Sequence, residues 1–314
     1  MSSMLHFRFK LAELARPVTT RLPRGRHSLA KLLMGPAASY KADPFFKASL
    51  RDRSRVIFDR RLQSWVILDV GDWACRQHYI KGIYREQDVP TLIRSYLREG
   101  DTFIDVGANR GVHTLCAARQ VGRSGRVYAF EPLPAAYKVL EAHLTANMLD
   151  NTVAYNGGLG DEPATLQLNI LSDDHSGTCT FRDDATTVSG VSVPVWRLAD
   201  LLGDMPIKGR CLVKIDTEGF DHRVIKGMGP LLDRPDIAVW CEVTDEWLRR
   251  TGSSAQELFD DMERRGFGAY KSSLTFKSLT EQILDLSLLT APLSAFQYDV
   301  LFARGDLPHD LRGH

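Results

Sequence analysis

The sequence predicts an α/β fold, a mostly parallel sheet with helices on both faces, and three observations point to it. Strand-like and helix-like segments alternate from about residue 88 onward, the pattern of parallel strands joined by crossover helices. Residues 101–114, DTFIDVGANRGVHT, read as a buried strand, a glycine turn and the start of a helix. A second strand then closes on a carboxylate, Glu131, at the spacing from Gly107 where an acid reaches both hydroxyls of a ribose. With 314 residues and 44% hydrophobic content, the chain can bury one large core, or one core plus a small appendage.

Along the chain, residues 1–61 hold 14 Lys+Arg against 4 Asp+Glu, leaving 26 against 35 for the remainder. The spacing of Leu5, Phe9 and Ala12 is helical, and Pro17, Pro23, Gly25, Gly35 and Pro36 are expected to break any long helix. Residues 1–54 are therefore expected to form a basic extension, partly disordered or peripheral. Its charge suits either a loosely docked segment or an arm that meets an anionic membrane or an acidic partner. The Arg-rich, acid-poor start also fits an organelle transit peptide. No apolar run approaches the roughly 20 residues that span a bilayer, and no secretory pattern is present, so the default expectation is cytoplasmic. Residues 55–87 read as a small β-rich lead-in element, with strands at 55–58 and 65–70 and a turn at Gly71 and Asp72.

Residues 88–304 read as the main domain and 305–314 as a tail. Asp88 and Pro90 open a helix with Leu92, Ile93, Tyr96 and Leu97 on one face, ended by Gly100. The first core strand follows at 102–106, then a helix from Val112 carrying Leu115 and Cys116 that Gly122 stops. After the strand ending at Phe130, residues 134–147 form a helix with Tyr137, Leu140 and Leu144 inward, and 152–156 a third strand. Residues 163–195 interrupt the alternation with two β stretches, 165–170 and 191–195, around a polar loop at 172–190, either a lid or a variable loop. Fourth and fifth strands fall at 212–215 and 237–241. Ser254 and Glu257 make a capping box for a helix that runs to Arg265 and stops at Gly266. Tyr270 and residues 297–303 supply the last strands.

A nicotinamide enzyme wants G-x-G-x-x-G to wrap a pyrophosphate, but here Asn109 replaces the second glycine and Val112 the third. The turn bracketed by Gly107 and Gly111 thus reads as a nucleoside site without a pyrophosphate cradle. S-adenosylmethionine fits: it carries a ribose and an adenine but ends in an amino acid and a sulfonium. Asp105 is expected to face that cationic end, Gly107, Ala108 and Asn109 to meet the amino-acid end, and Glu131 to take the ribose. Asp161 is expected either to reach the adenine amino group or to serve a plain turn.

At this point a resemblance appears. GDTFIDVGANRGVHTL from Gly100 and GRVYAFEP ending at Pro132 resemble the opening of FkbM-type methyltransferases, a family of class I S-adenosylmethionine-dependent O-methyltransferases. NGGLGD at 156–161, VPVWRLADLL at 193–202 and LVKIDTEG at 212–219 continue the likeness in order, over about residues 80–303. The resemblance implies a Rossmann-like class I methyltransferase fold, a mostly parallel seven-stranded sheet with an antiparallel last strand forming an edge hairpin. It also implies methyl transfer to a hydroxyl of a small molecule, sugar or glycan. There are two departures from the family's pattern: Phe220 and Asp221 stand where it usually has a small residue and Glu, which could alter the acceptor pocket, and Arg110 occupies a variable turn position.

Open α/β sheets bind ligands where strand order reverses, so Asp105 and the pair Asp216 and Glu218 are expected on two sides of one crevice. Asp216 is the first choice for the acceptor side, with Glu218 beside it to share a proton, orient a hydroxyl or bind a divalent ion. The plainer alternative has Glu218 capping the next helix and Asp216 bonding the turn. Lys214 is expected to pair with a carboxylate or to reach the surface by its stem. His113 and His222 follow the two turns, where helix-start packing is the simpler role. The five cysteines, Cys75, Cys116, Cys179, Cys211 and Cys241, lack metal or disulfide spacing and read as small buried hydrophobes. No metal site is indicated. The acidic main domain argues against a nucleic-acid substrate. Rival readings are a nicotinamide-dependent oxidoreductase, disfavoured by Asn109 and Val112, and a membrane-surface or scaffolding protein with a degenerate pocket.

Overall fold

The computed structural model describes residues 2–21, 28–29, 32–33, 53–82, 84, 86–170, 179–181, 189–276, 282–294 and 296–304. Most of the polar loop at 172–190, the breakers between Pro23 and Pro36, and the tail 305–314 lie outside them. The chain divides into two compact units, residues 1–87 with 276–281 and residues 88–275 with 282–314.

In the first unit, helix α1 (Ser2–Thr19) buries Phe9 and Ala12 completely. It runs through Pro17, where a break was expected. That proline sits in the last turn and forfeits only one amide there, and Thr20 and Arg21 still donate to the carbonyls of Arg16 and Val18. Strands β1 (Ser54–Asp59) and β2 (Ser64–Asp69) form an antiparallel hairpin that alternates Ile57, Asp59, Val66 and Leu68 inward with Val56, Phe58 and Trp65 outward. The helix Trp73–Lys81 follows, which the sequence did not predict. Asp72 caps it by accepting from the Cys75 amide at 2.8 Å. Its buried side carries Arg76, Gln77 and His78, so no apolar stripe announces it. Arg76 donates to the carbonyls of Val70 and Gly71, and His78 Nε2 lies 2.6 Å from Asp59 Oδ2.

The second unit is built on one eight-stranded sheet. Its strands are β3 (Thr102–Val106), β4 (Arg126–Phe130), β5 (Thr152–Tyr155), β10 (Cys211–Ile215), β11 (Ile237–Val243), β12 (Gly268–Phe276), β13 (Gln282–Leu289) and β14 (Tyr298–Ala303). They run in the order β13-β12-β14-β11-β10-β3-β4-β5. From β11 to β5 the pairings are parallel, while β14 is antiparallel to both β11 and β12. This is the class I methyltransferase arrangement the resemblance implied, with one change. As expected, β12 and β14 pair antiparallel, the closing strand lying between β11 and β12; the change is that β13 adds an eighth strand and takes the edge outside β12. Both faces of β3 and β10 are buried, as their largely apolar runs require, with Asp105 and Lys214 the charged residues among them.

The 163–195 segment is more ordered than two stretches around a loop. With β6 (Gly158–Gly160), β7 (Ala164–Ile170), β8 (Cys179–Thr180) and β9 (Ser189–Arg197) it makes a separate four-stranded sheet in the order β6-β9-β7-β8. Among the described residues no helix is long and apolar enough to cross a membrane.

Candidate active site

Strand order reverses between β3 and β10, and Val106 pairs with Ile215, so the two carboxyl ends lie side by side. The Asp216 amide donates to the Val106 carbonyl at 3.1 Å. Gly107 sits at φ 75, and a Cβ there would stand 2.0 Å from the Asp216 carbonyl oxygen, so only glycine lets the two turns meet. The amides of Gly107 and Ala108 both donate to the Phe130 carbonyl, which binds the turn to the end of β4. Asn109 follows at φ 51, and Gly111 at φ 81 opens the helix Val112–Val121.

Glu131 closes the ring. Its Oε2 accepts from the Asn109 amide at 2.6 Å and its Oε1 from the Leu133 amide at 2.8 Å. Each oxygen keeps a further lone pair for another donor. Burial pushes this carboxyl up to about 7, against the pull of those two amides and of Lys214. Asn156, which the sequence reading passed over, donates to the Glu131 carbonyl at 2.8 Å and fixes the backbone that carries it. Its sequence signals are its place at the end of the third strand and at the head of the NGGLGD run.

Of the expected cofactor residues, Gly107, Ala108, Asn109, Gly111 and Glu131 come together, while Asp105 and Asp161 are placed otherwise. Asp105 has no exposed surface; its Oδ2 accepts from the Thr114 hydroxyl at 2.6 Å and its Oδ1 lies 3.5 Å from Lys214 Nζ. It supports the turn from the penultimate position of β3, fully buried, and its Oδ1 has no hydrogen-bond partner. Asp161 accepts from Arg223 Nε at 2.7 Å. The end of β6 packs so closely on the helix Asp221–Gly227 that a Cβ on Gly227 would stand 1.9 Å from the Gly160 carbonyl, and this delivers Asp161 to Arg223.

On the other side, Lys214 stays inside. Its ammonium donates to the Gly107 carbonyl at 2.9 Å and lies 3.2 Å from Asp216 Oδ2, tying the acid to the glycine turn. Asp216 and Glu218 do approach each other, though not along an extended chain: Glu218 has φ 54 and Gly219 φ 99, so the backbone curls. A third carboxylate, Glu242 of β11, joins them, and one oxygen from each lies within 4.8 Å of the others. The turn is tied by Asp221, whose oxygens accept from the amides of Thr217 at 3.2 Å and Gly219 at 3.0 Å. The departure at 220–221 therefore lies in the turn's support, with Phe220 buried against Phe181 and under Arg223.

The electrostatics follow from this crowding. Burial, then the charges of Asp216, Glu218 and Asp221, push the Glu242 carboxyl up to about 9. Burial and Asp216 raise Asp221 to about 6. Glu242 also hydrogen-bonds Gln297. Such a trio can hold a shared proton, accept a hydroxyl, or offer oxygen ligands to a hard divalent cation. Trp247 packs on Gly219 and meets the exposed Phe296 edge to face, ring centres 6.0 Å apart, which sets an aromatic corner beside the carboxylates. Strand β8 of the insertion reaches the same place: the Thr180 hydroxyl donates to the Glu218 carbonyl at 3.2 Å, and burial, with the charges of Glu131, Glu218 and Asp216, drives the Cys179 thiol up. His113 and His222 are buried at helix starts; His222 Nδ1 bonds Ser253, its Nε2 lies 3.6 Å from Asp261, and burial lowers its pKa.

Residues 105–268 match the family described as the methyltransferase FkbM domain, a span that runs from the buried acid of β3 past the carboxylate trio to the start of β12. The chain belongs to this family. S-adenosylmethionine is accordingly its cofactor. Among similar proteins, Methyltransferase 1 of Beauveria bassiana is 30% identical over 147 residues, covering 41% of this chain and 59% of that one. The ribosomal protein L11 methyltransferase of Thermotoga maritima is 30% identical over 109 residues, covering 32% and 40%. The chain thus spans between two fifths and three fifths of the length of these relatives. The crystal structure of an FkbM methyltransferase from Methylobacillus flagellatus is 14% identical with a TM-score of 0.37, covering 78% of this chain and 57% of that one.

The FkbM turn also has an open polar atom that suits the cofactor. Asn109 Oδ1 is buried without a hydrogen-bond partner, an acceptor beside a carboxylate whose two oxygens each have capacity left. An ammonium and a pair of ribose hydroxyls supply the donors such a set lacks.

Proposed function

We propose that this chain transfers a methyl group from S-adenosylmethionine to a hydroxyl oxygen of a small molecule or carbohydrate. One observation carries the reading: the carboxylate trio Asp216, Glu218 and Glu242 is joined through Lys214 and Gly107 to the turn that meets Glu131. A place for a nucleoside and a place for a proton thereby share the junction of β3 and β10, with Glu131 after β4 and Glu242 in β11 on its two sides.

In this reading Glu131 holds the ribose hydroxyls and the Asn109 amide oxygen the amino-acid end. The cofactor, when bound, supplies a methyl group activated by a sulfonium. Asp216, with its side chain 39% exposed and anchored by Lys214, accepts the proton of the incoming hydroxyl. Glu242 keeps its own proton near neutrality and donates it into the cluster, so that the acceptor meets an oriented carboxylate. Trp247 and Phe296 offer a face to the carbon side of a sugar or other polyhydroxylated ring. Alignment does the rest, since fixing the oxygen in line with the methyl carbon removes much of the entropic barrier.

The test is product analysis with methyl-labelled S-adenosylmethionine and a panel of sugars and phenols. A methyl ether is expected, with Asp216→Asn losing about 10²-fold or more in turnover while S-adenosylhomocysteine binding stays within a few fold. Label on nitrogen or carbon, or full turnover by Asp216→Asn, would refute the reading.

A further inference from the structure

Helix α1 has two apolar sides, and the fold uses one. Phe9 and Ala12 are buried, while Phe7 is 66%, Leu11 41%, Leu14 80% and Val18 59% exposed. At 3.6 residues per turn these four fall within about 60° of arc, opposite the buried side. Arg8 and Lys10 flank the stripe, one on each edge, and Arg8 donates to the carbonyl of Leu32, itself 71% exposed. The helix's one acid, Glu13, is turned away and neutralised by Arg55 at 2.9 Å and Lys10 at 2.9 Å. What faces outward is therefore an apolar ridge with cationic margins, in the segment that holds a third of the chain's basic residues and a tenth of its acidic ones.

We infer that α1 is a membrane-surface helix that lies in the plane of an anionic bilayer, its ridge in the acyl boundary and its cations among the headgroups. Long basic side chains at the margins of an apolar stripe can keep their charge at the headgroup level while their stems stay in the interface. The helix cannot cross a membrane. A second copy of the chain fits the ridge less well, because positions 7, 11, 14 and 18 span less than two heptads where a coiled coil needs about three to four. Lipid needs no partner register, and anionic lipid alone answers the charge.

The experiment is co-sedimentation of the full chain with vesicles of phosphatidylcholine alone or mixed with phosphatidylglycerol, beside Leu11→Ser/Leu14→Ser. Both substituted side chains are exposed, so circular dichroism of the variant should match the parent. Binding to the mixed vesicles is expected, falling with added salt, weak on neutral vesicles, and reduced about tenfold or more for each leucine removed. Equal binding by parent and variant, no binding to anionic vesicles, or a solution dimer that the variant abolishes would each overturn the assignment.

Discussion

Glu131, just past β4, and Glu242, in β11, stand on either side of the paired strands β3 and β10, and both are raised by burial, yet their neighbours differ in kind. Around Glu131 the fold supplies donors, the amides of Asn109 and Leu133. Around Glu242 it supplies mainly acceptors, the carboxylates of Asp216, Glu218 and Asp221, beside the Gln297 amide that donates to it. The first environment holds a carboxylate ready for further donors; the second holds a proton. In the proposed function one residue type serves cofactor binding in one half and proton handling in the other, and the difference is set by what the strand ends bring near it.

The largest effect that sharpens this contrast is on cofactor affinity. Glu131→Ala is expected to weaken S-adenosylhomocysteine by 10²-fold or more in calorimetry, since two hydrogen bonds to a charged acceptor are worth roughly 1.5–3 kcal/mol each. Glu242→Ala should stay within a few fold. Affinity of the parent should also fall as the pH drops below about 7, because a protonated Glu131 has lost an acceptor site. Equal losses in the two variants would erase the distinction.

The next effect is smaller and concerns pH. With its carboxyl raised from 4.5 to about 9, folded Glu242 binds a proton that the unfolded chain has already released over that interval. Stability therefore falls as the pH rises from about 4.5 to 9 and levels off above it. Glu242→Gln, which keeps the shape without the titration, should match the parent near pH 4.5 and gain progressively above it. A discounted gain of at least about 1 kcal/mol by pH 8, roughly 2–4 °C in Tm, is expected for a partly exposed group. A pH-independent difference in scanning calorimetry would show that the cluster holds no extra proton.

The two halves were not equally legible in the sequence. The cofactor half is local: strand, glycine turn, helix and acid lie within one stretch of about thirty residues, and each has a backbone reason for its residue type. The acid half is assembled across the sheet. Glu242 lies one residue past the expected end of its strand, and it meets Asp216 only because β10 and β11 pair in parallel register. No spacing along the chain encodes that. Asp105 differs for a related reason: its place near the end of the first strand suggests a ligand, whereas Thr114 bonds one of its oxygens and Lys214, distant in sequence, stands 3.5 Å from the other. The helix Trp73–Lys81 was hidden because Arg76, Gln77 and His78 interrupt its buried side between Cys75 and Ile80, and periodicity detects only apolar stripes.

The smallest effect separates backbone from side chain within the cofactor half. Asn109 occupies the left-handed region at φ 51, which asparagine tolerates and glycine prefers, so Asn109→Gly should cost the turn nothing and raise Tm slightly. The same change removes the buried amide oxygen that has no partner in the protein. If that oxygen serves the amino-acid end of the cofactor, S-adenosylhomocysteine should bind about 3–10-fold more weakly, the worth of one ordinary hydrogen bond, while the Glu131 contact to the residue 109 amide is kept. Affinity and stability would then move in opposite directions. A variant that bound as tightly as the parent would leave Glu131 to grip the nucleoside without help from the turn's side chains.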